Sequence, residues 1–197
     1  KLGYLPVAQG VGDYRQALSH LERGLTTARH LGARVFEMHI LRNLSMLHTC
    51  QGDYRQSEKR AVQSLDLATE VQESHRAIVR NYQGFLLLQQ GRLAEASVVQ
   101  TDALRILRRN EQRMWMVKAI TALGWTAFYT GDWQEAEDRA TDSIIECEAF
   151  REERQIAHSC TLRGWARLKL GRVDAAGPDF RRSVEILQRL EMANRAQ

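Results

Sequence analysis

The chemistry-bearing side chains of this 197-residue chain are six histidines, three cysteines and 24 carboxylates. They do not fall into reactive spacings. His39 and His48 lie nine residues apart, which puts them on opposite sides of any helix that carries both. No H-E-x-x-H, G-x-S-x-G, P-loop or G-x-G-x-x-G string occurs, so the sequence carries no metal, nucleophile or phosphate signature. Cys50, Cys147 and Cys160 are odd in number and have no C-x-x-C spacing; they read as buried thiols in a reducing, cytoplasmic compartment. Acidic clusters such as Glu135-Ala136-Glu137-Asp138 read as helix surface, with Glu135 four residues before Arg139. The expectation is no catalysis, no metal and no cofactor. Binding is what remains, and large aromatic and basic side chains are the residues for it.

Composition narrows the class further. Two prolines and thirteen glycines are too little punctuation for an all-β chain of this length, and 44% apolar residues are too many for a disordered one. No apolar run approaches the ~18 residues that cross a bilayer, and no signal-peptide pattern opens the chain. The charge is +4, with 28 basic residues against 24 acidic. The run Arg105-Ile106-Leu107-Arg108-Arg109 with Arg113 ends a helical stretch, where cations suit the helix dipole; no helix-turn-helix accompanies it, so nucleic acid is not the expected partner.

Position is set by a repeat. Gly-Asp or Gly-Arg recurs as Gly12-Asp13-Tyr14, Gly52-Asp53-Tyr54, Gly91-Arg92-Leu93, Gly131-Asp132-Trp133 and Gly171-Arg172-Val173, in steps of 40, 39, 40 and 40 residues. Five residues after each glycine stands a small residue: Ala17, Ser57, Ala96, Ala136, Ala176. Seven before it stand Ser45, Gly84, Gly124 and Gly164. Thirteen after it come Leu25, Leu65, Leu104, Ile144 and Val184, and sixteen after it Ala28, Ala68, Leu107, Cys147 and Leu187. These offsets make an amphipathic helical stripe after each glycine. Each unit is therefore a helix A, a tight turn at glycine, and a helix B. Asp13, Asp53 and Asp132 are placed to cap helix B, with Gln16, Gln56 and Glu135 three residues on as capping-box partners.

This pattern resembles the tetratricopeptide repeat, through the small residue of helix A, the aromatic after the turn glycine (Tyr14, Tyr54, Trp133) and the alanine of helix B. The period exceeds the usual ~34 residues of that repeat, and resembles the elongated units in sensor arms of STAND-class regulators such as the maltotriose-responsive transcription activator. Similar long units occur in kinesin-light-chain-type adaptors. The resemblance implies an all-α, right-handed superhelical solenoid of antiparallel helix pairs. It forms a single solenoid over 1–197, with a partial unit at 1–32 and units at 33–72, 73–111, 112–151 and 152–197. Departures are Gln83 and Arg163 where helix A usually has Leu, Gln100 in place of a bulky apolar residue, and Pro178 inside the last helix B, which is expected to start late or kink. The chain has no starting Met, Leu2-Gly3 reads as the end of a helix A, and 191–197 shows no capping helix. A piece of a longer protein is expected.

In this family the A helices line the binding face. The resemblance then places Arg42, Met46, Asn81, Phe85, Lys118, Trp125, Phe128, Tyr129, His158, Trp165 and Lys169 on that face. The set contains no Asp or Glu and gathers aromatics toward the C-terminal half. The expected partner is a protein or peptide with apolar anchors and an acidic group, with a small-molecule effector as an alternative. Met46 and Phe85 stand where chaperone-tail-binding members carry Asn, so chaperone C-termini are not expected ligands. The implied role is the sensor or regulatory arm of a larger bacterial signalling or transcription-regulatory protein. The alternatives are a free-standing adaptor and, third, a peptide-responsive phosphatase-like regulator.

Overall fold

The structure is a computed structural model that describes residues 14–195, with side chains as far as residue 190. The readings at Leu2-Gly3, Gly12 and Asp13, and the side chains of 191–197, lie outside the described residues. Every described element is an α-helix: α1 Tyr14–His30, α2 Arg34–Cys50, α3 Tyr54–Ala68, α4 Glu73–Gln89, α5 Leu93–Arg109, α6 Arg113–Thr130, α7 Trp133–Phe150, α8 Glu153–Lys169 and α9 Val173–Arg195. The A helices are α2, α4, α6 and α8; the B helices are α1, α3, α5, α7 and α9. The chain divides into two compact units, 1–82 and 83–197, and the division falls inside α4.

The turn glycines explain the sharp A-to-B reversal. Gly52, Gly91, Gly131 and Gly171 have φ of 76°, 74°, 90° and 75°, a left-handed conformation that costs any side-chain-bearing residue ~1–2 kcal/mol. At Gly131 the glycine N–H donates to the Phe128 carbonyl at 3.2 Å and the next N–H, of Asp132, donates to the Ala127 carbonyl at 2.9 Å. This is the Schellman pair that closes a helix. Asp132 then turns round and caps the next helix, its Oδ1 accepting from the Glu135 N–H at 3.1 Å. Asp53 does the same for the Gln56 N–H at 3.1 Å. The capping box expected of Gln56 and Glu135 is only half built. Its return bond needs the cap residue's N–H, which already ends the preceding helix, and Glu135 instead accepts from Arg139 Nε at 2.6 Å.

In the first unit, α1 and α2 bury Leu21, Leu25, Leu41, Leu44 and Leu47 together, each contributing ~2 kcal/mol on removal from water. Ser45 and Ser57, the small residues of α2 and α3, meet through the Ser45 hydroxyl, which donates to the Ser57 carbonyl at 2.8 Å. In the second unit the small residues let helices touch. A Cβ placed on Gly164 would stand 2.8 Å from the Phe180 ring, and one on Gly124 would stand 2.7 Å from Leu162.

Three expectations are corrected. Helix α9 begins at Val173, in the same register as the other B helices, so Pro178 does not delay its start; the proline is exposed and removes only one backbone donor from an early turn. Val184 and Leu187, read as buried stripe residues, are exposed, while Ile186 is buried. Cys50 is exposed rather than buried, because its position two residues before the turn glycine faces outward, as do Gln89, Tyr129 and Lys169. Cys147 and Cys160 are fully buried as expected.

Candidate functional site

Residues six, three and two before the turn glycine share one side of helix A, because they stand at i, i+3 and i+4. In the second unit this row is Trp125, Phe128 and Tyr129 on α6, repeated as Trp165, Leu168 and Lys169 on α8. The two A helices touch each other, and α7 and α9 share a core in which Ile144 and Cys147 pack with Ile186. Their B helices are joined at the surface by long side chains, Arg182 Nη2 donating to Glu148 Oε1 at 2.6 Å.

The rings of the α6 row form a cluster. Trp125 stacks on Tyr129 with centroids 6.1 Å apart, and Phe128 stands edge-on to both, at 5.7 Å from Trp125 and 5.6 Å from Tyr129. Trp125 is half-buried between neighbours on both sides. It packs on Leu87, Leu88 and Ala96 of α4 and α5, and on Ala136, Ala140, Leu162 and Ala166 of α7 and α8. Tyr129 is 58% exposed and Trp165 46% exposed. Trp165 is held edge-on by Phe180 of α9 at 5.4 Å. Lys169 is exposed, with its ammonium 5.9 Å from the centre of the Trp133 ring, at the outer limit of a cation–π contact.

Two buried polar networks fix this unit. Asp179 of α9, 3% exposed, accepts from Arg163 Nη2 at 2.6 Å and from Arg167 Nη1 at 2.9 Å. Arg167 Nε also donates to Glu137 at 2.8 Å, and Arg172 closes the cluster on the same carboxylate. The hydroxyls of Thr121, Ser143 and Ser159 form a triangle with sides of 2.9, 3.0 and 2.9 Å, and the Gln155 amide donates to Thr121 at 2.8 Å. A related bond recurs by repeat: Ser64 donates to the Met38 carbonyl at 2.9 Å and Ser183 to Ala157 at 2.9 Å. The sequence analysis did not single out this network; Ser64, Ser143 and Ser183 share one place in the repeat, twelve residues after the turn glycine.

Among the expected face residues, Tyr129, His158, Trp165 and Lys169 are exposed, and Phe85, Lys118, Trp125 and Phe128 are half-buried. Lys118 lies with its ammonium 4.6 Å over the Trp115 ring. Leu168, 36% exposed in the same row as Trp165, was not among the expected residues although the spacing named its position. In the first unit Arg42, Met46 and Asn81 are half-buried, and Arg42 Nη2 donates to Asn43 Oδ1 at 2.9 Å. The same unit holds a pair the sequence did not suggest: His39 Nε2 and His75 Nδ1 share one hydrogen bond at 3.1 Å. Burial, followed by the nearby Arg42 guanidinium and His75, lowers the His39 pKa to about 4.

Burial pushes the Cys147 thiol up to about 11 and raises that of Cys160, which disfavours the thiolate at both. Among the described residues, no three His, Cys, Asp or Glu side chains converge as metal ligands do. No described helix is long and apolar enough to cross a membrane. The arrangement offers apolar rings flanked by a cation, which suits recognition of another chain.

No protein-family model matches the chain, and no curated protein matches it. Solved structures do. BtubC from P. vanneervenii aligns with a TM-score of 0.61 at 15% identity, covering 93% of this chain and 92% of that one. A kinesin-light-chain protein from Podospora anserina with nearly identical TPR-like repeats aligns with a TM-score of 0.61 at 13% identity, over 98% and 99%. Aspartyl phosphate phosphatase F from Bacillus subtilis aligns with a TM-score of 0.72 at 14% identity, over 96% of this chain and 49% of that one. At these identities the likeness is one of fold, and the fold is an all-α, tetratricopeptide-like helical repeat.

Proposed function

We propose that the chain is a protein-recognition scaffold whose contact surface is the A-helix row of the second unit: Tyr129, Trp165, Leu168 and Lys169, with Trp125 and Phe128 beneath it. The observation that carries this reading is the exposure of Tyr129 and Trp165 on a unit whose interior is locked by buried ion pairs and hydroxyls. Rigid, partly exposed aromatic rings supply contact area at low entropic cost. The cation of Lys169 and the absence of Asp and Glu from the row favour a peptide with an apolar anchor and an acidic residue near it.

The biological setting we infer is the sensor or regulatory arm of a larger cytoplasmic signalling or transcription-regulatory protein of bacterial type. The support is the ~40-residue unit, longer than the usual repeat. Likeness to a kinesin light chain and to an aspartyl phosphate phosphatase fits a scaffold that reads other proteins. Peptide display against the wild-type chain and against Tyr129→Ala and Trp165→Ala tests the contact surface: peptides enriched on the wild type should be lost on both variants. Equal enrichment on all three would remove the row from the binding surface. The coding sequence on either side tests the setting, where a P-loop upstream or a helix-turn-helix downstream supports it and the lack of both contradicts it.

A further inference from the structure

The row that carries Trp125 and Tyr129 on α6 runs on toward the start of that helix. Trp115, Lys118, Ala122, Trp125 and Tyr129 follow one another in steps of three and four residues, so they share one stripe. Helix α6 has neighbours on both sides, since Trp125 packs on α4 and α5 and again on α7 and α8. Tyr129 stays 58% exposed between them. Exposure on this helix therefore does not depend on what lies beyond α9.

The two ends of the stripe differ in chemistry. At Tyr129 it is aromatic. At the other end the half-buried Lys118 holds its ammonium 4.6 Å over the Trp115 ring. A ring under the ammonium orders the side chain and leaves its charge in place. Helix α8 is seated beside this end, with the Gln155 amide and the Ser159 hydroxyl 2.8 and 3.0 Å from the Thr121 hydroxyl of α6. His158 adjoins Ser159 and keeps solvent contact. Desolvation by its surroundings, followed by the charges of Arg154 and Lys118, lowers the His158 pKa, the setting of a side chain in a hollow lined by cations. No Asp or Glu stands on the stripe. The acids nearest to Arg154 in sequence turn elsewhere. Glu153 accepts from Arg189 of α9 at 2.8 Å, and Glu152 adjoins α7, its N–H donating to the Cys147 carbonyl at 3.2 Å.

We propose that Lys118, backed by Trp115, is a second anchoring point, which takes a carboxylate side chain of an extended partner segment whose apolar side chain sits at Tyr129. The inference rests on the reading of Tyr129 as a contact residue, and it adds a carboxylate separate from the one assigned to Lys169. Charge complementarity identifies the occupant, because this end of the stripe holds cations and no acid. The helix sets the distance. At a rise of 1.5 Å per residue, Lys118 lies ~10.5 Å along α6 from Trp125 and ~16.5 Å from Tyr129. An extended chain advances ~3.3–3.6 Å per residue, so the partner's carboxylate stands ~3–5 residues from its apolar anchor. The stripe thus selects acid at one spacing rather than acidity in general.

The probe is a phage-displayed library of random twelve-residue peptides, panned against the full chain, Lys118→Gln and Lys118→Glu. On the wild type, Asp and Glu should be enriched three to five residues from the apolar anchor. Lys118→Gln should lose that enrichment and keep the anchor, and Lys118→Glu should replace it with Lys or Arg. One selected peptide then completes a double-mutant cycle by calorimetry. Changing its spaced Asp or Glu to the amide should weaken binding to the wild type ~5-fold and leave binding to Lys118→Gln unchanged. Circular dichroism establishes that each variant folds, and the cycle with Lys118→Gln stands alone if the charge-reversed variant does not. Additive losses in the cycle, acid enrichment without that spacing, or a folded Lys118→Glu with the wild-type profile overturns the proposal. Those results leave the contact surface intact if the peptides still require Tyr129. Peptides indifferent to Tyr129→Ala, or none enriched on the wild type, overturn the contact surface and this inference together.

Discussion

Trp125 and Tyr129 stand one turn apart on α6 and stack with ring centroids 6.1 Å apart and planes at 30°. Their surroundings divide the work between them. Trp125 is gripped by two layers of neighbouring helices, while Tyr129 lies 58% exposed on top of it. Removing them should therefore do different things. Trp125→Ala should cost ~2–3 kcal/mol of stability, below the full-burial range because the ring is only half-buried. Tyr129→Ala should cost less than ~0.5 kcal/mol, as surface substitutions do. Urea unfolding of the two variants checks the contrast, and a large loss in Tyr129→Ala would mean that the tyrosine supports the fold rather than a contact.

Gly164 gives a test of helix proximity. Alanine is the better helix former by ~1 kcal/mol, yet its Cβ would meet three atoms of the Phe180 ring at 2.8 to 3.1 Å. Overpacking against a rigid ring should outweigh propensity, leaving Gly164→Ala destabilised by ~1 kcal/mol or more. Adding Phe180→Leu should recover most of that loss. A thermal-shift comparison reads both, and a stabilised single variant would refute the close approach.

The turns from helix B to the next helix A behave differently from the glycine turns. Arg151 and Glu111 hold φ of 57° and 52° without being glycine. Arg151→Gly removes that strain and should stabilise the chain by ~1 kcal/mol, after the entropy cost of a more flexible unfolded chain. An unchanged or lowered denaturation midpoint would contradict the left-handed turn.

Asp179 neutralises two guanidinium groups at once, those of Arg163 and Arg167. Asp179→Asn keeps the shape and removes the charge, which takes the carboxylate partner from Arg163 and leaves Arg167 only its pair with Glu137. The expected loss is ~3 kcal/mol. Full retention of stability would mean that water, rather than the carboxylate, satisfies the two arginines.

His39 predicts a pH effect with a definite sign. Its folded pKa of about 4 lies below the ordinary 6.5, so the unfolded chain takes up the proton first as pH falls. The stability gained by holding His39 neutral is present above pH ~6.5 and is lost as pH drops toward ~4. The amount is at most ~2 kcal/mol once solvent screening of a half-buried ring is allowed for. His39→Gln should flatten the melting temperature over that range. An identical pH profile in both proteins would show that His39 titrates normally.

The repeat was legible because its turns are stereochemically forced. A left-handed residue that also ends one helix and precedes a cap leaves a fixed mark, Gly-Asp or Gly-Arg, every ~40 residues. Small residues at Gly124 and Gly164 were legible for the same reason. Polar burial was not. Thr121, Ser143 and Asp179 look like surface residues in a binary pattern, and only their partners on other helices make them interior. The exposure of Val184 and Leu187 was also invisible locally, because their stripe positions match Ile144 and Cys147 and differ only in what lies over them. The face residues split along the same line: the spacing placed Trp125 and Trp165 alike, and neighbouring helices made one a support and left the other exposed.

The central claim is that the aromatic row of the second unit binds another polypeptide. The most direct measurement is the affinity of one display-selected peptide for the wild-type chain, for Tyr129→Ala and for Trp165→Ala, read by calorimetry on proteins of equal helicity. The predicted result is a peptide with an apolar residue and a nearby Asp or Glu, bound at least tenfold more weakly by each variant and more weakly by Lys169→Ala. Equal affinity across wild type and variants, or selected peptides without that pattern, would contradict it.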